Sequence, residues 1–237
     1  YDAKQTSFSA MGFYEFEILP RSYLKTGLSY KYQKIDELIK FNDTTSKTYA
    51  GNYIKTEAIP GVFAENSISF LEDKASLMTG IRFDNHNEHG LVVTPRALFR
   101  YQPVKTIVFR ASIGTGFRTL NLFSEYSNLL ASSRNVVVSG TLSPEKTLNY
   151  GADVLFYFGG ADYSGSVNVD FYRTEFSNKI IPDYDSNPRE VIFANLNGKA
   201  FSNVMQTELS LTLLRNIDVK LAYKFIDLKY DNNGVRY

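Results

Sequence analysis

The sequence predicts an all-β fold, an antiparallel up-and-down meander of about ten strands that belongs to a larger transmembrane β-barrel. Apolar and polar residues alternate with a period of two along most of the chain, which places them on opposite faces of β-strands. The apolar faces are rich in Tyr and Phe, as expected where a barrel meets lipid. Short and longer connections alternate between the strands, as in a meander that has short turns at one rim and longer loops at the other.

Five strands are predicted in the first part of the chain. They cover residues 8–19, 23–34, 48–71, 75–83 and 93–101. The long third segment is interpreted as one strand with a bend or bulge at Pro60, because proline cannot donate a ladder hydrogen bond. Polar residues at 42–46 and at 84–90 predict loops on either side of the third and fourth strands.

Five more strands are predicted in the second part. They cover residues 107–113, 148–158, 167–172, 205–213 and 217–225. Apolar residues at helical spacing over residues 120–131 predict a short helix, which either packs the loop or folds over the barrel mouth to touch a substrate. The polar region 177–197 is expected to contain an excursion at residues 182–188.

The connections sort by length. Short ones are expected at Pro20, Glu72, Pro103, Gly159 and Arg215, and longer ones near Asn42, Asn87, Ser127 and Ser186. Every second connection of a meander lies at the same end, so the short turns share one rim and the longer loops share the other. Outer-membrane barrels are built in this way, whereas a Greek-key sandwich has no reason to sort its loops.

The composition excludes several functions. The chain has no Cys, which removes disulfides, zinc–thiolate sites and thiol nucleophiles. A net charge of +1 provides no basic field for nucleic acid, so no nucleic-acid partner is expected. No catalytic triad or nucleophile elbow is present, and we predict neither an enzyme nor a bound cofactor.

Charged residues on the strand faces opposite the aromatic rows are predicted to face a lumen. The candidates are Arg82, Arg100, Arg110, Asp153, Asp170 and Glu208. Together with Arg96, the arginines form a basic series that could steer an anionic ligand. His86 and His89 are weak candidates for a metal site, and a solvated polar turn is the favoured interpretation, so no metal is predicted.

Several motifs occur in a fixed order between the middle strands. They are Thr94-Pro95-Arg96, then Gly114-Thr115-Gly116-Phe117-Arg118, then Leu122-Phe123-Ser124-Glu125, then Leu142-Ser143-Pro144-Glu145. This order resembles the barrel of TonB-dependent outer-membrane receptors. The family usually has a proline after its Phe-Arg pair, where this chain has Thr119-Leu120-Asn121.

The resemblance implies that residues 1–237 form a partial barrel domain of an active transporter in the outer membrane of a Gram-negative bacterium. Such a receptor imports a scarce nutrient (an iron chelate, cobalamin or a glycan), is surrounded by outer-membrane lipid, and contacts the TonB complex through a plug region that has no counterpart here. Both termini are interpreted as cuts in a longer protein, and the lumen arginines are expected to pair with the plug.

Two other classes of function stay open at this point. A passive porin-like or structural outer-membrane barrel would show the same alternation of apolar and polar faces. A soluble β-domain that binds carbohydrate would instead hide its aromatic rows in a shared interior.

Overall fold

Ten long strands form one antiparallel sheet in the computed structural model, which describes residues 1–41, 47–214, 216–232 and 235–236. The strands in chain order are β1 (Asp2–Leu19), β2 (Ser22–Ile39), β3 (Gly51–Phe70), β4 (Ala75–His86), β5 (Gly90–Val104), β6 (Ile107–Arg118), β7 (Asn135–Val138), β8 (Glu145–Gly159), β9 (Tyr163–Ser177), β10 (Ile180–Asp183), β11 (Glu190–Asn195), β12 (Ala200–Leu213), β13 (Ile217–Asn232) and β14 (Val235–Arg236). The large sheet has the order β1-β2-β3-β4-β5-β6-β8-β9-β12-β13-β14. The predicted meander of about ten strands is confirmed. The sheet is open, with β1 at one edge.

The aromatic face of the sheet is exposed. Phe99, Phe109 and Phe156 are 38%, 41% and 44% exposed, whereas Asp153 on the opposite face is only 5% exposed. Residues paired directly across an antiparallel ladder point to the same side, so the apolar rows continue from strand to strand. We call the two sides the apolar face and the polar face. The aromatic rows share no dry interior, which argues against a soluble sandwich.

Uncharged rows on the apolar face extend over the length of one membrane crossing. On β9, β12 and β13 every second residue over 163–171, 205–213 and 217–225 is uncharged, and the three stretches pair with one another. A tilted barrel strand crosses a bilayer in about 9–11 residues. The strands run on beyond this apolar band toward the rim that carries the long loops.

Five short turns share the other rim. They connect β1 to β2, β3 to β4, β5 to β6, β8 to β9 and β12 to β13. Arg215, within the last of these turns, lies outside the described residues, as does the predicted loop at 42–46. No helix of the described residues is long and apolar enough to cross a membrane.

The predicted loop over residues 84–90 is wrong. Strand β4 continues through His86, which pairs with Gly90, so three residues make the turn at the long-loop rim. Gly90 has a φ of 70°, a left-handed conformation that glycine adopts without a steric penalty. Of the four connections at the long-loop rim between β2 and β12, three are therefore long and one is a tight turn.

The long third segment forms one strand, β3, as predicted, but the predicted bulge at Pro60 is wrong. Pairing between β2 and β3 continues in register through Tyr30 and Pro60, while pairing of β3 with β4 begins only at Gly61 and Asp84. Proline, which has no N–H to donate, thus lies where the second ladder stops. A Cβ on Gly61 would lie 2.1 Å from Oδ1 of Asp84, so glycine is required for that carboxylate to pack there.

Two of the long loops fold together. The predicted helix over 120–131 is broken at Tyr126 into helix α1 (Leu122–Glu125) and a 3-10 helix (Ser127–Ala131). Strands β10 and β11, which the sequence did not predict, form a small sheet with β7, and β11 pairs in parallel with β7. Their shared core comprises Ile39, Tyr49, Phe123, Leu129, Val136, Ile180, Val191 and Phe193. We call residues 119–144 and 178–199 the loop cap.

Two adjacent residues of β8 lie on opposite faces, so we expect a new charge to be harmful at one position and tolerated at the other. Val154 lies in the apolar band, whereas Leu155 lies on the polar face. Val154→Arg should reduce the folded, heat-modifiable fraction of the full-length protein in outer-membrane preparations, because arginine on the lipid face costs about 2–4 kcal/mol at mid-membrane. Leu155→Arg is the matched control and should assemble normally. Equal assembly of the two variants would contradict the assignment of the faces.

Candidate functional site

The basic series predicted for the lumen lies on the polar face and is neutralised largely within the chain. Arg82 donates from Nε to Oδ2 of Asp84 at 2.6 Å, and Arg96 pairs with Glu65. Arg100 donates to the side-chain oxygen of Gln102 instead of to a carboxylate. Two of these three arginines thus have a carboxylate partner on the strands, and the pairing of the series with a plug stays a prediction.

The remaining predicted lumen-facing residues lie on the same face. Arg110 donates from Nε to both oxygens of Asp153, at 3.0 and 2.8 Å, across the β6–β8 ladder. Asp170, opposite Asp153 on β9, accepts from Asn168 at 2.7 Å. Glu208 pairs with Lys220 at 3.0 Å. Arg82, Arg96 and Arg110 thus each have a carboxylate partner on the strands, whereas Arg100 is paired with an amide oxygen.

Three charged residues of the motifs form one cluster at the base of the loop cap. Arg118, the last residue of β6, contacts Oε2 of Glu145 at 2.9 Å from Nε and 2.8 Å from Nη2, and donates to Glu125 at 2.7 Å. Oε1 of Glu145 accepts from the backbone N–H of Ile180 at 2.8 Å and lies 3.2 Å from Nζ of Lys179. We call this cluster the clamp, because it joins β6, α1, β8 and the start of β10.

Two glycines of the motifs lie close to side chains of the neighbouring strands. A Cβ on Gly114 would lie 3.3 Å from Cβ of Arg96, and one on Gly116 would lie 3.2 Å from Oγ1 of Thr147. Pro95 pairs with Ile81 on the apolar face, and its carbonyl is the acceptor nearest to the Thr115 hydroxyl, at 3.5 Å. Pro144 directly precedes the clamp residue Glu145, and Phe117 directly precedes Arg118.

Residues 119–121, where this chain lacks the family's usual proline, are bound by a lysine that the sequence did not identify as a site residue. Nζ of Lys55, on the polar face of β3, donates to Oγ1 of Thr119 at 3.0 Å, to the carbonyl of Leu120 at 2.9 Å and to Oδ1 of Asn121 at 2.9 Å. The same amine lies 2.9 Å from Glu57, which also accepts from the Thr119 hydroxyl. Residues 119–121 are therefore fixed against the polar face without the usual proline.

The interpretation of the histidine turn as solvated is wrong for His86. Its side chain is buried, with the residue only 1% exposed, and its Nδ1 accepts from the backbone N–H of Glu88 at 3.1 Å. Nε2 lies 3.8 Å from Glu57 and has no hydrogen-bond partner among the described residues. The His89 ring lies 4.7 Å from the His86 ring, centroid to centroid. No group of three or more metal-ligating side chains occurs in the described part of the chain.

A cleft of about 340 Å³ lies between the polar face and the start of the loop cap. Its lining includes Lys31, Gln33, Arg82, Phe117, Arg118 and Asn121. A second cavity of about 510 Å³ is formed where Tyr49, Tyr53 and Phe123 meet β7 and the end of β2. The arrangement can bind a small polar or aromatic solute between strands and loops.

The sequence did not identify Lys55, Glu57 or Lys179 as site residues. Lys55 and Glu57 share the polar face of β3 by their spacing of two, so alternation alone indicates that they are neighbours. Their contacts with residues 119–121 depend on a loop path that alternation does not predict.

We expect the contacts of Glu145 in the clamp to be lost at acidic pH. Burial alone would raise the pKa of Glu145, but its bonds to the Ile180 N–H and to Arg118 outweigh burial and hold that pKa below the usual 4.5. The clamp's stabilisation is thus fully present above pH 4.5 and is lost as the pH falls through the lowered pKa. Hydrogen exchange of residues 119–126 and 178–183 in the full-length protein, corrected for intrinsic rates, should rise only below pH 4.5.

In Glu145→Gln the same amides should exchange faster already at neutral pH, because the charge-assisted bonds to Arg118 are weakened. Glu208→Gln, which removes a carboxylate far from the clamp on β12, is the control and should leave these amides unchanged. An unaltered exchange profile in Glu145→Gln would show that the clamp does not hold the loops.

Lys55 provides an independent check of the anchor at residues 119–121. Lys55→Met keeps the length of the side chain and removes its bonds to the loop, so exchange of residues 119–126 should rise about fivefold or more, since each lost bond contributes about 1 kcal/mol. Lys31→Met on the adjacent strand β2 is the matched control. Equal exchange in both variants would contradict the anchoring role.

The chain matches the family model described as TonB dependent receptor-like, beta-barrel, over residues 2–236. A search of curated protein sequences gives no significant match. The siderophore receptor PirA from Pseudomonas aeruginosa is similar in structure, with 17% identity, a TM-score of 0.65, and coverage of 96% of this chain and 41% of that chain.

Two further solved structures show the same likeness. The ferric enterobactin receptor PfeA in complex with BCV-L6 has 15% identity and a TM-score of 0.70, with 99% and 40% of the two chains covered. The FrpB iron transporter from Neisseria meningitidis (F3-3 variant) has 14% identity and a TM-score of 0.66, with 96% and 36% covered. The chain thus spans about two fifths of the length of these proteins. The family model covers nearly the whole chain, and this chain therefore belongs to the family of TonB-dependent receptor β-barrels.

Proposed function

We propose that the chain is the part of a TonB-energised outer-membrane receptor that holds the loop cap over the barrel mouth and contributes to uptake of a scarce nutrient. Further strands outside this chain would close the sheet, because lipid cannot satisfy the unpaired backbone groups along the edge of β1. Contact with the TonB complex would be made by a plug region elsewhere in the full-length protein.

The observation that carries this proposal is the attachment of the loop cap to the polar face. Lys55 and Glu57 of β3 bond directly to residues 119–121, and Arg118 and Glu145 tie that segment to Ile180. A passive pore needs an open lumen, whereas a receptor needs loops that fold over a binding space. The cap has its own small sheet and packs in an apolar core together with Ile39 and Tyr49, which favours the receptor.

A ferric chelate is the first nutrient to test. The similar solved structures are described as a siderophore receptor, a ferric enterobactin receptor and an iron transporter. The cavity beside Tyr49, Tyr53 and Phe123 offers aromatic rings for a chelate with aromatic groups. Cobalamin and glycans are the other nutrient classes that the same assay can distinguish.

Deletion of the full-length gene should abolish high-affinity uptake of labelled ferric chelates by iron-limited cells. A protonophore should stop uptake in the wild type, because import against a gradient needs energy from the inner membrane. Complementation with the wild-type gene is the control. Uptake that resists the protonophore and does not saturate would indicate a porin, and loss of cobalamin or glycan uptake alone would reassign the nutrient.

A further inference from the structure

Charged residues appear on the apolar face of β8, β9 and β13 above the apolar band, and the first of them are Arg173 on β9 and Asp227 on β13. The last uncharged row of the band contains Ala152, Phe171, Met205 and Phe225, which pair across β8, β9, β12 and β13. The next row on the same face contains Tyr150, Arg173, Asn203 and Asp227. A band of one crossing length places this second row at the level of the lipid headgroups on the long-loop side.

Four cations lie in this row and in the next two rows toward the long-loop rim. They are Lys146, Arg173, Lys199 and Lys229, and we call them the rim patch. Glu175 and Asp227 lie among them, with Asp231 at the same end of β13. Arg173 and Lys229 each contact a neighbouring carboxylate, while the side chains of Lys146 and Lys199 are exposed.

The guanidinium at the centre of the rim patch is held in place. Arg173 lies 4.1 Å above the centroid of the Phe201 ring, donates from Nε to Glu175 at 3.1 Å and contacts Oδ1 of Asn203 from Nη1 at 3.3 Å. The Tyr150 hydroxyl donates to the same Glu175 at 3.1 Å. A guanidinium fixed on an aromatic ring loses little side-chain freedom when it binds a phosphate.

The rest of the sheet does not share this feature. On β4, β5 and β6 the apolar face carries no charge as far as the strand ends, at residues 75–85, 91–103 and 107–117. On β1 and β2 two lysines, Lys4 and Lys34, alternate with Asp2 and Asp36. The concentration of cations on β8 to β13 is therefore specific to one sector of the barrel surface.

We propose that the rim patch binds the phosphate of a membrane lipid headgroup, with Arg173 and Lys199 as the main contacts. The ligand class follows from position and charge. The patch faces outward, continues directly from the lipid-facing band, and combines a fixed arginine with the exposed side chains of Lys146 and Lys199, which suits a phosphate ester. The acyl chains of such a lipid would lie along Phe171, Met205 and Phe225. The inference depends on the membrane placement of these strands and not on the nutrient that is transported.

The test uses the full-length protein in detergent, titrated with dioleoyl phosphatidic acid and followed by native mass spectrometry. Arg173→Gln combined with Lys199→Gln should weaken binding more than tenfold, since each cation near a lipid surface contributes about fivefold. Lys220→Gln combined with Lys224→Gln removes two charges from the opposite face of β13 and should change binding less than about twofold by the same reasoning.

Three further arms separate the possible outcomes. Dioleoylglycerol, which has the same acyl chains without the phosphate, should not bind at the patch, and inorganic phosphate should not displace the lipid at comparable concentration. Lys199→Gln alone changes only an exposed side chain. It replaces the double variant in the binding experiment if the double variant fails to fold. Equal binding by wild type and rim-patch variants, binding of dioleoylglycerol, or displacement by free phosphate would each overturn the proposal.

Discussion

The structure depends on continuous backbone pairing beneath an uncharged outer surface. In hydrocarbon every N–H and C=O must be bonded within the protein, and only unbroken ladders satisfy that requirement for strands. The pairs between β8, β9, β12 and β13 run without a register shift through the whole apolar band. Because side chains alternate strictly, the same ladders that satisfy the backbone also sort aromatic residues to one face and ion pairs to the other.

The strands and their faces could be predicted because both are local properties. The alternation of Ala152, Val154 and Phe156 with Gly151, Asp153 and Leu155 is sufficient to place β8 and to separate its two faces. The prediction of a loop at residues 84–90 failed because strand pairing extends β4 through residues whose local composition favours a turn. Asn85 and His86 have turn-like neighbours, yet β4 extends through them because β5 supplies partners.

The candidate site was less predictable because its contacts join residues far apart in sequence. The motif residues Arg118, Glu125 and Glu145 were recognised by their order, but their common role in tying two loops together became visible only in three dimensions. His86 was misread for the same reason: composition describes a polar turn, while its burial follows from Phe117 and His89, whose rings lie 6.3 and 4.7 Å away. Arg82 and Asp84 are an exception, since their spacing of two on one strand already indicates a pair.

The small sheet of β7, β10 and β11 has a consequence for how the chain folds. Most strands of the meander pair with the next strand along the chain, so hairpins can add one at a time with little loop-closure cost. The parallel pairing of Asn135–Val138 with β11 instead joins two insertions across the intervening β8 and β9. Its closure over such a long segment costs more loop entropy than a hairpin does, so we expect this pairing to form after the hairpins of β8 and β9.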